Sequence, residues 1–138
     1  MRQLLATLTL ALTLASCREP DPITPDTLTG VWVEKSARQD TLIFNPDNKS
    51  LTARRGYLTV NRGRETNAGG YIVPKLGSGT YQYYVEERSL YVYNLYSSTY
   101  QFAGYTFEQV GSELRIGNFF ELGFREPATA TRTLIRLK

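Results

Sequence analysis

Residues 30–138 are a succession of short β-prone runs, each cut off by a turn cluster, and none of them sustains the 3.6-residue apolar period of a helix. Runs at 31–36 and 41–45 come first, the second ended by Asn45-Pro46-Asp47-Asn48, whose side chains and fixed φ favour a turn. Residues 50–54 and 56–60 form either two strands or one strand broken at Gly56. The polar, glycine-bearing stretch 61–70 reads as loop, and 71–73 is a short run stopped by Pro74. Gly77-Ser78-Gly79 opens a run at 80–86, Glu87-Arg88-Ser89 turns it into 90–96, and 100–110 follows with a bend at Gly104. Gly111-Ser112 leads into 114–120, and 131–137 closes the chain. Turn signals at this spacing predict an all-β, antiparallel sandwich or barrel.

The first residues belong to a different kind of segment. Arg2 supplies a cationic start, and the apolar run 4–15 covers about half of the ~20 residues that a membrane-spanning helix needs. Leu14-Ala15-Ser16-Cys17 resembles the bacterial lipobox, an aliphatic residue and two small ones before a cysteine. That resemblance implies cleavage before Cys17 and acylation of its sulfur and its new amino group. Ordinary secretion is the competing reading. A cut after Ser16 would put Leu14 at the third-last position, which suits that route poorly, whereas a cut after Ala15 puts Thr13 there. The only cysteine of the chain stands at this place. One acyl chain binds a bilayer marginally and two or more bind it stably, at ~0.8 kcal/mol per buried methylene. Arg18 after the cysteine, where an Asp would signal inner-membrane retention, implies an outer-membrane address in the cell envelope. Pro20, Pro22 and Pro25 favour extended chain at ~3.1 Å per residue. The expected organisation is thus a signal peptide at 1–16, a lipidated N-terminus and tether at 17–29, and one domain at 30–138.

Within that domain, Gly30-Val31-Trp32 resembles the Gly-x-Trp signature of lipocalins. Thr29-Gly30-Val31-Trp32, Asp40-Thr41-Leu42-Ile43-Phe44-Asn45, Tyr81-Gln82-Tyr83 and Leu114-Arg115-Ile116-Gly117-Asn118-Phe119 extend the likeness to small lipocalin-like lipoprotein domains. The resemblance implies an antiparallel barrel of about eight strands, with Trp32 plugging one end and a late arginine packed on it, Arg136 first and Arg132 second. The chain is short for a lipocalin and carries neither the later loop motifs nor the C-terminal helix. A barrel this reduced can be filled by its own side chains.

Histidine is absent. That removes Ser-His-Asp and Cys-His catalysis and imidazole-thiolate metal sites, and the one thiol would be consumed by lipid. Glu86 and Glu87 are adjacent, so on a strand they face opposite sides. No metal or cofactor is expected, and the domain reads as noncatalytic. Sixteen basic against thirteen acidic residues is a small excess for a nucleic-acid binder, and export removes that partner. The distinctive feature is tyrosine. Tyr81, Tyr83, Tyr91 and Tyr93 are candidates to line a site for an apolar ligand, with cross-strand aromatic pairing as the simpler reading. Arg54, Arg55, Arg62 and Arg64 are a candidate contact for an anionic surface around one hairpin, or a solvated hairpin tip.

Two functions follow as expectations. The first is a tethered lipocalin-like domain that holds a small apolar or amphipathic molecule in the barrel mouth. The alternative is an interaction module of the cell envelope, its barrel filled and its surface offered to a protein partner. Cavity volume separates them.

Overall fold

The computed structural model describes residues 28–45, 54–98, 100–122 and 130–137. These form ten strands: β1 Gly30–Glu34, β2 Thr41–Phe44, β3 Gly56–Asn61, β4 Arg64–Thr66, β5 Ile72–Pro74, β6 Gly79–Glu86, β7 Ser89–Asn94, β8 Ala103–Val110, β9 Glu113–Gly117 and β10 Thr131–Arg136. A single helical turn, α1 Phe119–Leu122, lies between β9 and β10. The signal segment 1–16, Cys17 and most of the tether lie outside the described residues, as do Pro46-Asp47-Asn48 and most of the run at 50–54.

Eight strands close into an antiparallel barrel in the order β1-β10-β9-β8-β7-β6-β3-β2. Each barrel strand pairs with the next one along the chain, and β10 returns to β1 with Arg136 opposite Trp32. The choice between sandwich and barrel therefore falls to the barrel, which leaves its strands no free edge.

Period-two alternation sets what the barrel holds. Leu42 and Phe44 of β2, Leu58 and Val60 of β3, Tyr81 and Tyr83 of β6, and Leu90 and Val92 of β7 point inward. So do Tyr105 and Phe107 of β8, Leu114 and Ile116 of β9, and Leu134 of β10. Eight strands enclose a space that side chains just fill, and the aromatic residues among these do the filling.

Each end is closed differently. At the first end, Trp32 is buried and Arg136 lies over its ring, 5.9 Å from the centroid. The Arg136 guanidinium donates to Thr29 Oγ1 at 3.1 Å, and Trp32 Nε1 donates to the Thr29 carbonyl at 3.3 Å. Gly30 has φ +90°, and a Cβ there would meet Arg136 Nε at 3.1 Å. The glycine of Gly30-Val31-Trp32 thus makes room for the arginine that covers the tryptophan. At the opposite end, α1 turns Phe119 and Phe120 inward, where Phe119 packs against Tyr81, Tyr105 and Phe120 at centroid distances of 5.3 Å.

Two expectations about elements need correction. The stretch 61–70 contains β4, which pairs with β5 to form a small arm between β3 and β6. Arg64-Glu65-Thr66 is polar on both faces, so no alternation marks it as a strand. The run at 114–120 ends as a strand at Gly117, because Phe119 and Phe120 are used to stopper the barrel and not to extend its wall.

Candidate functional site

The tyrosine-rich strands divide by face, and the division decides what they can do. Tyr81 and Tyr83 are inside. The Tyr83 hydroxyl receives a bond from Asn45 Nδ2 at 3.0 Å and donates to the Leu28 carbonyl at 3.3 Å, while Asn45 Nδ2 also reaches that carbonyl at 3.1 Å. The Tyr81 hydroxyl donates to the Gly77 carbonyl at 2.8 Å. Burial pushes the Tyr81 phenol up to about 12, against the opposing pull of Asn94 and Arg62. Both rings are structural members with their polar ends satisfied.

Tyr91 and Tyr93 are outside. The four candidate ligand-lining tyrosines therefore line no common site: residues 81 and 83 occupy inward positions, whereas 91 and 93 point away from the barrel. The pairing explains it. Tyr83 lies opposite Val92, Tyr81 opposite Asn94 and Tyr84 opposite Tyr91, so no inward tyrosine of β6 meets a tyrosine of β7.

The outer face of β6, β7 and the segment before β8 carries an aromatic ladder. Tyr84 and Tyr91 stack at 4.7 Å with an interplanar angle of 5°. Phe102 packs against Tyr84, Tyr93 and Tyr100 at 5.1, 5.7 and 5.9 Å, and Tyr93 lies 4.6 Å from Tyr100. Gly104 sits beneath the Tyr91 ring, where a Cβ would come within 2.8 Å of it. Arg55 lies over Phe102 at 5.4 Å and donates to the Tyr100 hydroxyl at 3.0 Å, which in turn donates to Gln82 Oε1 at 3.3 Å. Burial, then Tyr91 and Glu86, raise the Tyr84 phenol pKa, with Arg55 opposing. This wall offers ring edges, hydroxyls and a guanidinium to whatever meets it. Phe102 was not singled out from sequence, although it falls within the run at 100–110; the structure begins β8 just after it, at Ala103.

The four arginines do not form one cluster. Arg55 precedes β3 and Arg62 follows it, so seven residues of extended chain, roughly 23 Å, separate them. Arg54 and Arg55 lie toward the Trp32 end, and Arg62 and Arg64 toward the α1 end. Arg62 is also no surface cation: Nε bonds Asp40 Oδ1 at 3.2 Å, and Nη1 bonds the carbonyls of Leu76 at 2.8 Å and Phe120 at 3.0 Å. It ties the β1–β2 turn, the segment before β6 and α1 together. Arg64 is exposed on the arm.

A polar notch of about 210 Å³ opens beside Arg62, lined by Glu34, Ser36, Ala37, Gln39, Asp40, Arg62 and Arg132. Arg132 therefore belongs to this notch, and the Trp32 partner is Arg136. Glu34 here is spent on structure. Its carboxylate accepts the Ser36 hydroxyl and the amides of Ser36, Ala37 and Arg38, at 2.9, 2.5 and 3.2 Å for the amides. Burial would raise its pKa, but these donors outweigh that and hold it at about 2. Among the described residues no three His, Cys, Asp or Glu side chains gather as a metal site would require.

No protein-family model, curated protein or solved structure gives a match to this chain.

Proposed function

We propose that this protein is a lipid-anchored lipoprotein of the outer membrane whose lipocalin-like barrel is a filled scaffold, acting as an interaction module and not as a carrier. The observation that carries this is the interior. Leu42, Phe44, Leu58, Tyr83, Leu90, Val92, Leu114, Ile116, Phe119, Phe120 and Leu134 all have 0% exposure. A water-sized void bordering any of them would give it accessible surface. A bound apolar molecule would have to displace Phe119 and Phe120 from packed contact. The Trp32–Arg136 closure and the Gly30-Val31-Trp32 start support the lipocalin-like reading. Leu14-Ala15-Ser16-Cys17 supports the anchor.

With the inside filled, recognition falls to the outer wall, where Tyr84, Tyr91, Tyr100 and Phe102 form a continuous aromatic surface beside Arg55, packed over the buried Tyr93. Tyrosine, phenylalanine and arginine are the residue types enriched where proteins meet proteins. A photo-reactive residue at Tyr100, incorporated in the native host, is expected to give one discrete adduct with an envelope protein, and the same group at the exposed Arg115 of β9 none. A smear from both positions, or an organic extract of the purified protein that repeatedly holds one apolar molecule, would reject the reading. Intact mass of the host-derived protein tests the anchor separately: the mature species should begin at a triacylated Cys17.

A further inference from the structure

Eight large apolar side chains stand exposed among the described residues, and five of them sit at the α1 end of the barrel. Tyr71, Ile72 and Leu76 lie in the connection from β3 to β6, and Leu95 and Tyr96 in the connection from β7 to β8. Tyr100 lies back along the outer wall, and only Val110 and Leu137 are at the other end. The exposure is large where it matters: 72% for Tyr71, 67% for Ile72 and 84% for Tyr96. On the β4–β5 arm, Ile72 faces the same side as Pro74, across the ladder from Thr66 and Arg64. Arg64 and Lys75 flank these groups, with Glu65 the one acid of the arm. A two-stranded ribbon of three-residue strands is marginal in water by itself. Tyrosines, bare aliphatics and cations together are the composition that settles at a membrane interface.

We propose that this end of the barrel seats on an anionic phospholipid bilayer, with Ile72, Leu76 and Leu95 dipping below the headgroups, Tyr71 and Tyr96 lying among them, and Arg64 and Lys75 pairing with lipid charge. The geometry rests on the lipid-anchored reading above. Leu28 is held at the opposite end, by Asn45 and Tyr83. From Cys17 to Leu28 is eleven residues, roughly 34 Å of extended chain. The barrel, with strands of at most eight residues tilted as in other eight-stranded barrels, is roughly 20 Å tall. A chain of that length, extended, exceeds the height of the barrel, so acyl groups on Cys17 and the α1 end can reach the same bilayer. The aromatic outer wall is then left facing sideways, open to a partner in the same membrane.

The test separates the two readings by removing the lipid anchor. Chain from residue 17 carrying Cys17→Ser, unacylated, is sedimented with vesicles of phosphatidylcholine containing phosphatidylglycerol and with vesicles of phosphatidylcholine alone. The seated barrel binds the anionic vesicles, and added salt weakens it. Ile72→Ser with Leu76→Ser cuts the partition coefficient by about tenfold or more. Arg64→Glu and Lys75→Glu each cut it by roughly fivefold or more. Val110→Ser and Leu137→Ser at the far end leave it unchanged, and circular dichroism reports the fold of every variant. Failure to sediment with either vesicle overturns the proposal, as does binding indifferent to the four substitutions at the α1 end, or capture of the exposed patch in a dimer. An unacylated Cys17 in the native protein would sink the anchor while leaving the vesicle result to stand or fall by itself.

Discussion

The two faces of β6 and β7 carry the same residue type to opposite ends. Inside, Tyr83 is fully buried, and its one hydroxyl joins Asn45 and Leu28 across the barrel mouth. Outside, Tyr91 stacks on Tyr84, and these two rings and Phe102 are half-exposed. A tyrosine in the barrel is a packing element that happens to need a hydrogen bond. A tyrosine on the wall is recognition surface held in place by other rings. Side-chain chemistry does not distinguish the two, and strand register does.

That contrast is broken most severely from within. Tyr83→Ala should cost about 3–5 kcal/mol in urea unfolding, since it removes a buried ring together with one of the hydrogen bonds of Asn45. Tyr91→Ala on the same wall should cost at most about 1 kcal/mol; equal losses would erase the distinction. Gly77→Ala comes next. It forces a Cβ to 1.7 Å from the Phe120 carbonyl at φ +83°, so the stopper must shift, at about 2–3 kcal/mol.

Two titrations sharpen the picture further. Glu34, at about 2 in the fold against an ordinary 4.5, contributes stability that is complete above about pH 5 and is lost as pH falls toward 2. Glu34→Gln should lower stability at neutral pH by about 1–3 kcal/mol and flatten that acid limb. Tyr81 works at the other extreme. Its phenol ionises near 12 in the fold and near 10 in the unfolded chain, so stability falls as pH climbs through that interval. Tyr81→Phe, losing the bond to Gly77, should cost about 1 kcal/mol below pH 10 and remove the alkaline loss.

Much of the fold was legible because a closed barrel repeats one local rule. Alternating runs and turn clusters marked the eight barrel strands, and in the closed barrel Trp32 of β1 lies opposite Arg136 of β10. What stayed hidden depended on contacts between distant residues. Arg62 looked like one of a basic group, but its partners come from Asp40, Leu76 and Phe120, three segments that meet only after folding. Phe119 and Phe120 continued an apolar run, and nothing local shows that the barrel needs a stopper there. The tyrosines were conspicuous, yet shifting a strand by one position exchanges every inward residue for an outward one. Their faces were therefore fixed by pairing, for example Tyr84 opposite Tyr91, and not by their spacing.

The central claim is that the barrel has no room for a guest. Titration of the folded chain with a fluorescent fatty-acid analogue tests it directly, read as the enhancement of probe emission against protein concentration. A filled barrel predicts weak, nonsaturating emission. A saturable one-to-one complex, abolished when Leu58→Trp takes up interior volume, would contradict it and restore the carrier.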